Sequence, residues 1–308
     1  TLGKKEEIYS IGNMEQFREE TILQIQSLAQ CKVPEETFKE VTDIIDLYLL
    51  CLMLRKKHAF QTAYQEILSK GTIYKNMLHN YEQNIIYIIL NYYERTKTFC
   101  GLDCIIKLSH NNARMILWIL HYAFGELEGD EKAPYKKIKA KVQSAAINKV
   151  SREFFEDIKS IPTNGPQIQN LAYALGNLFK TFILDKQAKK FETNHFSIHT
   201  TGILTKEERS FMAMILKDAT MWGVLIAEKA NKSKNRGDMV YNDKDYILNP
   251  VLAPYFSISY RKKQKCELRE DEIFHMLEPM PNTDLNKLAA KLSDESRQLS
   301  IWEMEEFN

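Results

Sequence analysis

The side chains best suited to chemistry in this sequence are cations. Arg261-Lys262-Lys263-Gln264-Lys265 places four positive charges in five residues, and Lys229, Lys232, Lys234 and Arg236 add four more. Ammonium and guanidinium groups at this density suit the phosphates of a polyanion, and such binding is salt-sensitive and largely independent of sequence. The same runs equally suit a solvated face or a strand edge kept soluble by charge. Arg114 is a different case. It falls in the first turn of an expected helix, where a cation opposes the helix dipole unless an anion sits nearby. A guanidinium fork matches phosphate oxygens; a solvent-facing arginine is the alternative. Metal and nucleophile chemistry have less support. His195 and His199 share one face of an expected strand, but no third ligand stands at a metal spacing. Cys100 and Cys104 lie one helical turn apart with no second pair, which reads as core thiols. No G-x-x-x-x-G-K-[ST] loop occurs, and no apolar strand ends in paired acids for Mg²⁺. Thr1-Leu2-Gly3-Lys4-Lys5 holds a Gly-Lys pair without the spacing or the hydroxyl. We therefore assign no catalytic and no metal residue, and expect no ATP hydrolysis from this chain alone.

The elements that must position these cations are mostly helices. The chain has 308 residues, 44% hydrophobic and 27% charged, with only 11 Gly and 8 Pro, which suits a globular, mainly α protein of two or three domains. A net charge of +1 confines any nucleic-acid surface to a local patch. Five cysteines without a disulfide spacing suit a reducing, cytoplasmic setting. No apolar run reaches the length of a membrane span, and no signal peptide opens the chain. It begins at Thr1 without a methionine, so we expect a fragment or a trimmed form.

Residues 1–98 read as a helical bundle. Expected helices run over Met14–Gln30, Glu35–Lys56 (apolar nearly all round and therefore buried), Ala59–Ser69 and Tyr74–Tyr93, the last equally readable as a buried strand. Residues 99–160 hold a short helix at Leu102–Leu108, a polar break, the helix opened by Arg114, and a long helix from Lys141 to Ile158. Ile161-Pro-Thr-Asn-Gly-Pro166 reads as a linker and domain boundary. Residues 161–268 then give a helix over Gln167–Lys189, a strand at His195–His199, a capping box at Thr205–Glu208, and a helix continuing toward Ala230. Asp245–Leu268 reads as a β-hairpin: Tyr246–Leu248 is a short apolar strand, Pro250 and Pro254 bracket an elbow, Tyr255–Tyr260 is strand again, and Cys266–Leu268 resume it after the 261–265 cations at the tip. Helix, strand, helix and a basic hairpin are the order of a winged-helix module, and the two basic clusters would lie together. Residues 269–308 read as an acidic tail with one helix over Thr283–Leu299. The fold class is thus mainly α: a helical bundle and lid region, then a winged-helix-like α+β domain with a β-hairpin wing.

Leu108-Ser109-His110-Asn111-Asn112-Ala113-Arg114 resembles the sensor-2 segment that opens the lid helix of origin-recognition-type AAA+ ATPases, including bacterial relatives allied to STAND switch proteins. The family often has Gly-Asn or Gly-Asp before the arginine; here Asn111-Asn112 stands there. Lys141–Ile158 resembles the later lid helix, and Phe196–Leu268, above all LNPVLAPYFSISYRKK, resembles the winged-helix domain. The resemblance spans roughly residues 100 to 268. It implies that Arg114 reaches the γ-phosphate of ATP held, with Mg, mainly by a P-loop half or partner subunit outside this chain, and that the winged helix binds DNA. An oligomer fits the family, and so does a setting in DNA maintenance or phage defence. The competing reading is an all-helical protein–protein adaptor without nucleic-acid binding. The acidic tail, if it covers the wing, would inhibit DNA binding, and its removal (279–308) would then strengthen it.

Overall fold

The computed structural model describes residues 11–29, 31–125, 137–185, 190, 192–229, 241 and 244–305. The chain divides into two compact units. One, the bundle unit, takes its described residues from 2–97 and 183–191; the other, the sheet unit, takes them from 98–182 and 192–308. The chain therefore visits the bundle unit twice. The turn at 161–164 lies inside the sheet unit rather than between units.

In the bundle unit, α1 (Glu15–Leu28), α2 (Glu35–Glu40), α3 (Ile44–Arg55), α4 (Phe60–Ser69) and α5 (Thr72–Tyr92) follow one another across short breaks. The single helix expected over Glu35–Lys56 is two. The Asp43 side chain caps α3 by accepting from the Ile45 N–H at 2.8 Å. Arg18 of α1 donates to the carbonyls of Phe38, Val41 and Thr42, satisfying the end of α2. Every residue of α3 from Ile44 to Leu54 is buried, as a run that is apolar but for Asp46 requires. The one acid among them, Asp46, is held by Lys70 and by the Tyr74 hydroxyl at 2.8 Å. The isoleucine-rich segment open to either reading is helical in α5. Its buried Asn84 donates to the carbonyl of Ile183, on the returning segment.

The sheet unit begins with α6 (Leu102–Leu108), α7 (Ala113–Gly125) and α8 (Ala140–Asp157). The long α9 (Gly165–Leu184) supplies Leu175, Leu178, Phe179 and Phe182, all fully buried or nearly so. Gly176 is needed there because any Cβ would overlap the ring of Phe256. Next come β1 (Thr193–His199), α10 (Lys206–Met221), β2 (Leu225–Lys229), β3 (Lys244–Leu248), α11 (Ala253–Phe256), β4 (Gln264–Arg269), α12 (Glu270–His275) and α13 (Asn282–Glu305). The capping box at α10 forms as read, with Thr205 and Glu208 exchanging bonds of 3.2 and 2.8 Å. The protein is thus mainly α, with a helical region followed by an α+β region.

The four strands lie in the order β2-β3-β1-β4. β1 pairs antiparallel with β3 and parallel with β4, while β2 and β3 pair antiparallel. This corrects the hairpin expected over 245–268: β1 lies between β3 and β4, so they never meet. Tyr255–Tyr260 is no strand either, because α11 occupies its start and the rest is irregular. The actual hairpin is β2–β3, one step upstream, where the helix was expected to run on to Ala230. Gly223, at φ +69, ends that helix instead.

The segment expected as an acidic tail begins inside the core. Ile273, Met276 and Leu277, then Leu285, Ala289 and Leu292 of α13, are buried with the rest of the sheet unit. Glu270 is fully buried and accepts from Arg209 at 3.1 and 3.2 Å and from the Gly202 N–H at 2.8 Å. Thr201 and the Tyr241 hydroxyl also donate to it. One carboxylate therefore ties the β1–α10 connection to α12.

Candidate nucleic-acid and nucleotide-sensing sites

The basic run at 261–265 does not project as a free tip. Because the chain enters β4 beside β1, these side chains lie against acids of the sheet. Lys262 pairs with Glu228 of β2. Lys265 pairs with Asp245 of β3 at 3.0 Å, and Lys263 with the fully buried Glu192 at 3.1 Å. Ion pairs that already satisfy a lysine leave less of its charge for a distant phosphate. Arg261 is half-buried, and its backbone N–H donates to the Ser259 hydroxyl. His195 stands among these groups with its ring buried. Burial first, then Lys262, pushes its pKa down from 6.5 to about 4, with Asp245 opposing. His199 shares its strand face and approaches Glu267 at 3.8 Å. Among the described residues no cluster of His, Cys, Asp and Glu is arranged to hold a metal.

The other cluster behaves differently. Lys229 is exposed at the last position of β2, and its cross-strand partner in register is Lys244 at the start of β3. Like charges directly opposite in a ladder destabilise it. Lys232, Lys234 and Arg236 fall in the connection between these two lysines, outside the described residues. Lys244 was missed in the sequence, since only the β2–β3 register brings it opposite Lys229. Of the two clusters expected to lie together, one sends Lys262 to Glu228, the neighbour of Lys229, while most of the other, 229–236, lies outside the described residues. β2 ends with Lys229 at the level where β1 is leaving the sheet, whereas Gln264 opens β4 beside Thr193, at the start of β1.

Arg114 sits in the first turn of α7, exposed, and among the described residues its side chain makes no hydrogen bond or ion pair. The turn before it is tightly made. His110 and Asn111 both take left-handed backbone, at φ 46° and 59°. Asn112 then caps the helix by accepting the Arg114 N–H at 3.0 Å. Ser109, nearly fully buried, leaves its hydroxyl without a partner among the described residues. Successive left-handed residues without glycine store strain, which persists where the surroundings hold it in place.

Among the described residues no helix is long and apolar enough to cross a membrane. No curated protein and no solved structure matches the chain. A family model does: the one described as ORC-CDC6-like matches residues 3–268. That match covers most of the chain and begins far upstream of residue 100, so the N-terminal bundle falls within it as well as the segments around Arg114 and the sheet. The chain belongs to the ORC-CDC6-like family.

Proposed function

We propose that the sheet unit is the DNA-engaging, nucleotide-responsive part of an origin-recognition-like ATPase, acting in a winged-helix manner with the β2–β3 connection as its wing. The order β1–α10–β2–β3, with the strands arranged β2-β3-β1, supports the winged-helix reading. The observation that carries DNA contact is the opposed pair Lys229 and Lys244. Two lysines facing each other at the base of a connection that holds Lys232, Lys234 and Arg236 gain from a polyanion what they lose to mutual repulsion. Arg114 is the candidate sensor of a nucleotide whose phosphates and Mg are held mainly by a P-loop segment or a partner subunit. DNA maintenance or phage defence is the setting such a switch would suit.

A gel-shift titration across a salt series tests this reading. We expect log affinity to fall linearly with log salt. Replacing Lys232, Lys234 and Arg236 with alanine should weaken binding by about tenfold or more and flatten the slope by roughly 2–3, one unit for each lost phosphate contact. The Arg261, Lys262, Lys263 and Lys265 quadruple alanine variant should do less, because three of those cations are already paired. Absence of binding at low salt would favour the adaptor reading, for which the exposed Met221 and Trp222 at the end of α10 offer a contact.

A further inference from the structure

The bundle unit contains a cavity of about 200 Å³ between α1, α3, α5 and the returning segment at Leu184. Its walls are mixed: Phe17, Tyr48, Ile88, Tyr92 and Leu184 give the apolar and aromatic part, and Glu20, Thr21, Gln24 and Asn91 the polar part. The rings of Phe17 and Tyr48 stack at 5.7 Å, and Tyr92 meets Phe17 edge-on at 5.0 Å. Among the lining residues only Glu20 carries a charge. Its Oε1 accepts from the Tyr92 hydroxyl. Gln24, also in the lining, has its Oε1 occupied by Arg55 and Cys51. Tyr48 is almost completely buried, and its hydroxyl has no hydrogen-bond partner among the described residues. A buried hydroxyl left unpaired costs about 1–3 kcal/mol, so such a group calls for a partner.

From this arrangement we propose that the cavity binds a small organic ammonium ion carrying at least one N–H. The sign of the charge follows from the lining itself, whose carboxylate repels an anion and attracts a cation; Arg55, held on Gln24 just outside the lining, opposes it, and Asp185 counters Arg55 at Tyr48. The carbon body follows from the apolar part of the walls, and the ring faces add attraction for a cation. The N–H follows from Tyr48, whose phenolic oxygen accepts a hydrogen bond, while Glu20 supplies the counter-charge. This site lies wholly within the bundle unit and is independent of the DNA-binding reading.

The probe is n-butylammonium, titrated into the full chain by calorimetry and by thermal unfolding. Two near-isosteres of opposite kind, n-butanol and butyrate, serve as controls. We expect saturable butylammonium binding with a rise in unfolding temperature, and neither effect from the controls. Glu20→Gln keeps the acceptor for Tyr92 but removes the charge, and should weaken binding at least tenfold. Tyr48→Phe keeps the ring and should weaken it several-fold. The proposal is overturned if butylammonium does not saturate, if butanol or butyrate binds as tightly, or if Glu20→Gln binds unchanged.

Discussion

At the scale of single residues, charge is settled by what faces it rather than by how much of it the sequence gathers in one place. Four cations in the five residues 261–265 read as a polyanion contact, yet three of them answer acids that lie far away in sequence, at Glu192, Glu228 and Asp245. Nothing local announces those partners. The Lys229–Lys244 opposition is the reverse case, an unremarkable lysine made informative by register. His195, set among the same ion pairs, yields a pH prediction. Its folded pKa of about 4 lies below the ordinary 6.5, so the native state prefers the neutral ring. The stability it contributes is complete above pH 6.5 and is lost as pH falls toward 4. Urea unfolding at pH 7 and pH 5 should show a loss of up to ~2 kcal/mol attributable to this ring. His195→Asn should reduce that loss.

At the scale of elements, periodicity and caps made most helices legible. The nearly all-apolar stretch of α3 and the capping box of α10 appear where the residue pattern puts them. What escaped were features decided by partners distant in sequence. The break between α2 and α3 depends on Arg18 reaching across from α1. β2 is short and follows directly on a helix, so only its pairing with β3 distinguishes it from more helix. The hairpin was legible as an element but misplaced, because strands with the right composition on either side of Pro250 and Pro254 pair through β1 instead. The candidate sites were legible as residue types and only partly as places. Glu270 carries the element-scale prediction. Burial works against its ionisation, but hydrogen bonds from Arg209 and from the Gly202 and Thr201 N–H groups hold its pKa below the ordinary 4.5. Its contribution is therefore present above that value and lost as pH falls through the lower, folded one. Glu270→Gln leaves Arg209 without its buried counter-charge and should cost about 3–5 kcal/mol in urea unfolding at pH 7.

For the molecule as a whole, the C-terminal segment is a structural part of the sheet unit. Leu285, Ala289 and Leu292 lie in its core, and Lys291 pairs with Glu272 at 2.8 Å. Removing 279–308 should therefore lower the unfolding midpoint sharply, since each buried leucine truncated to alanine typically costs about 2–5 kcal/mol. Differential scanning calorimetry of the truncated chain checks this. An unchanged midpoint would return the segment to the status of a detachable tail and reopen the autoinhibition expected from its acidity.

The double visit to the bundle unit bears on synthesis at the ribosome. Asn84 leaves the exit tunnel well before Ile183, the residue whose carbonyl it needs. Throughout that interval the nascent bundle lacks a wall of its cavity at Leu184 as well. Its last packing step must wait for the end of α9 to emerge, so a stalled chain ending near residue 160 should resist proteolysis less well than one long enough for residue 191 to have cleared the tunnel.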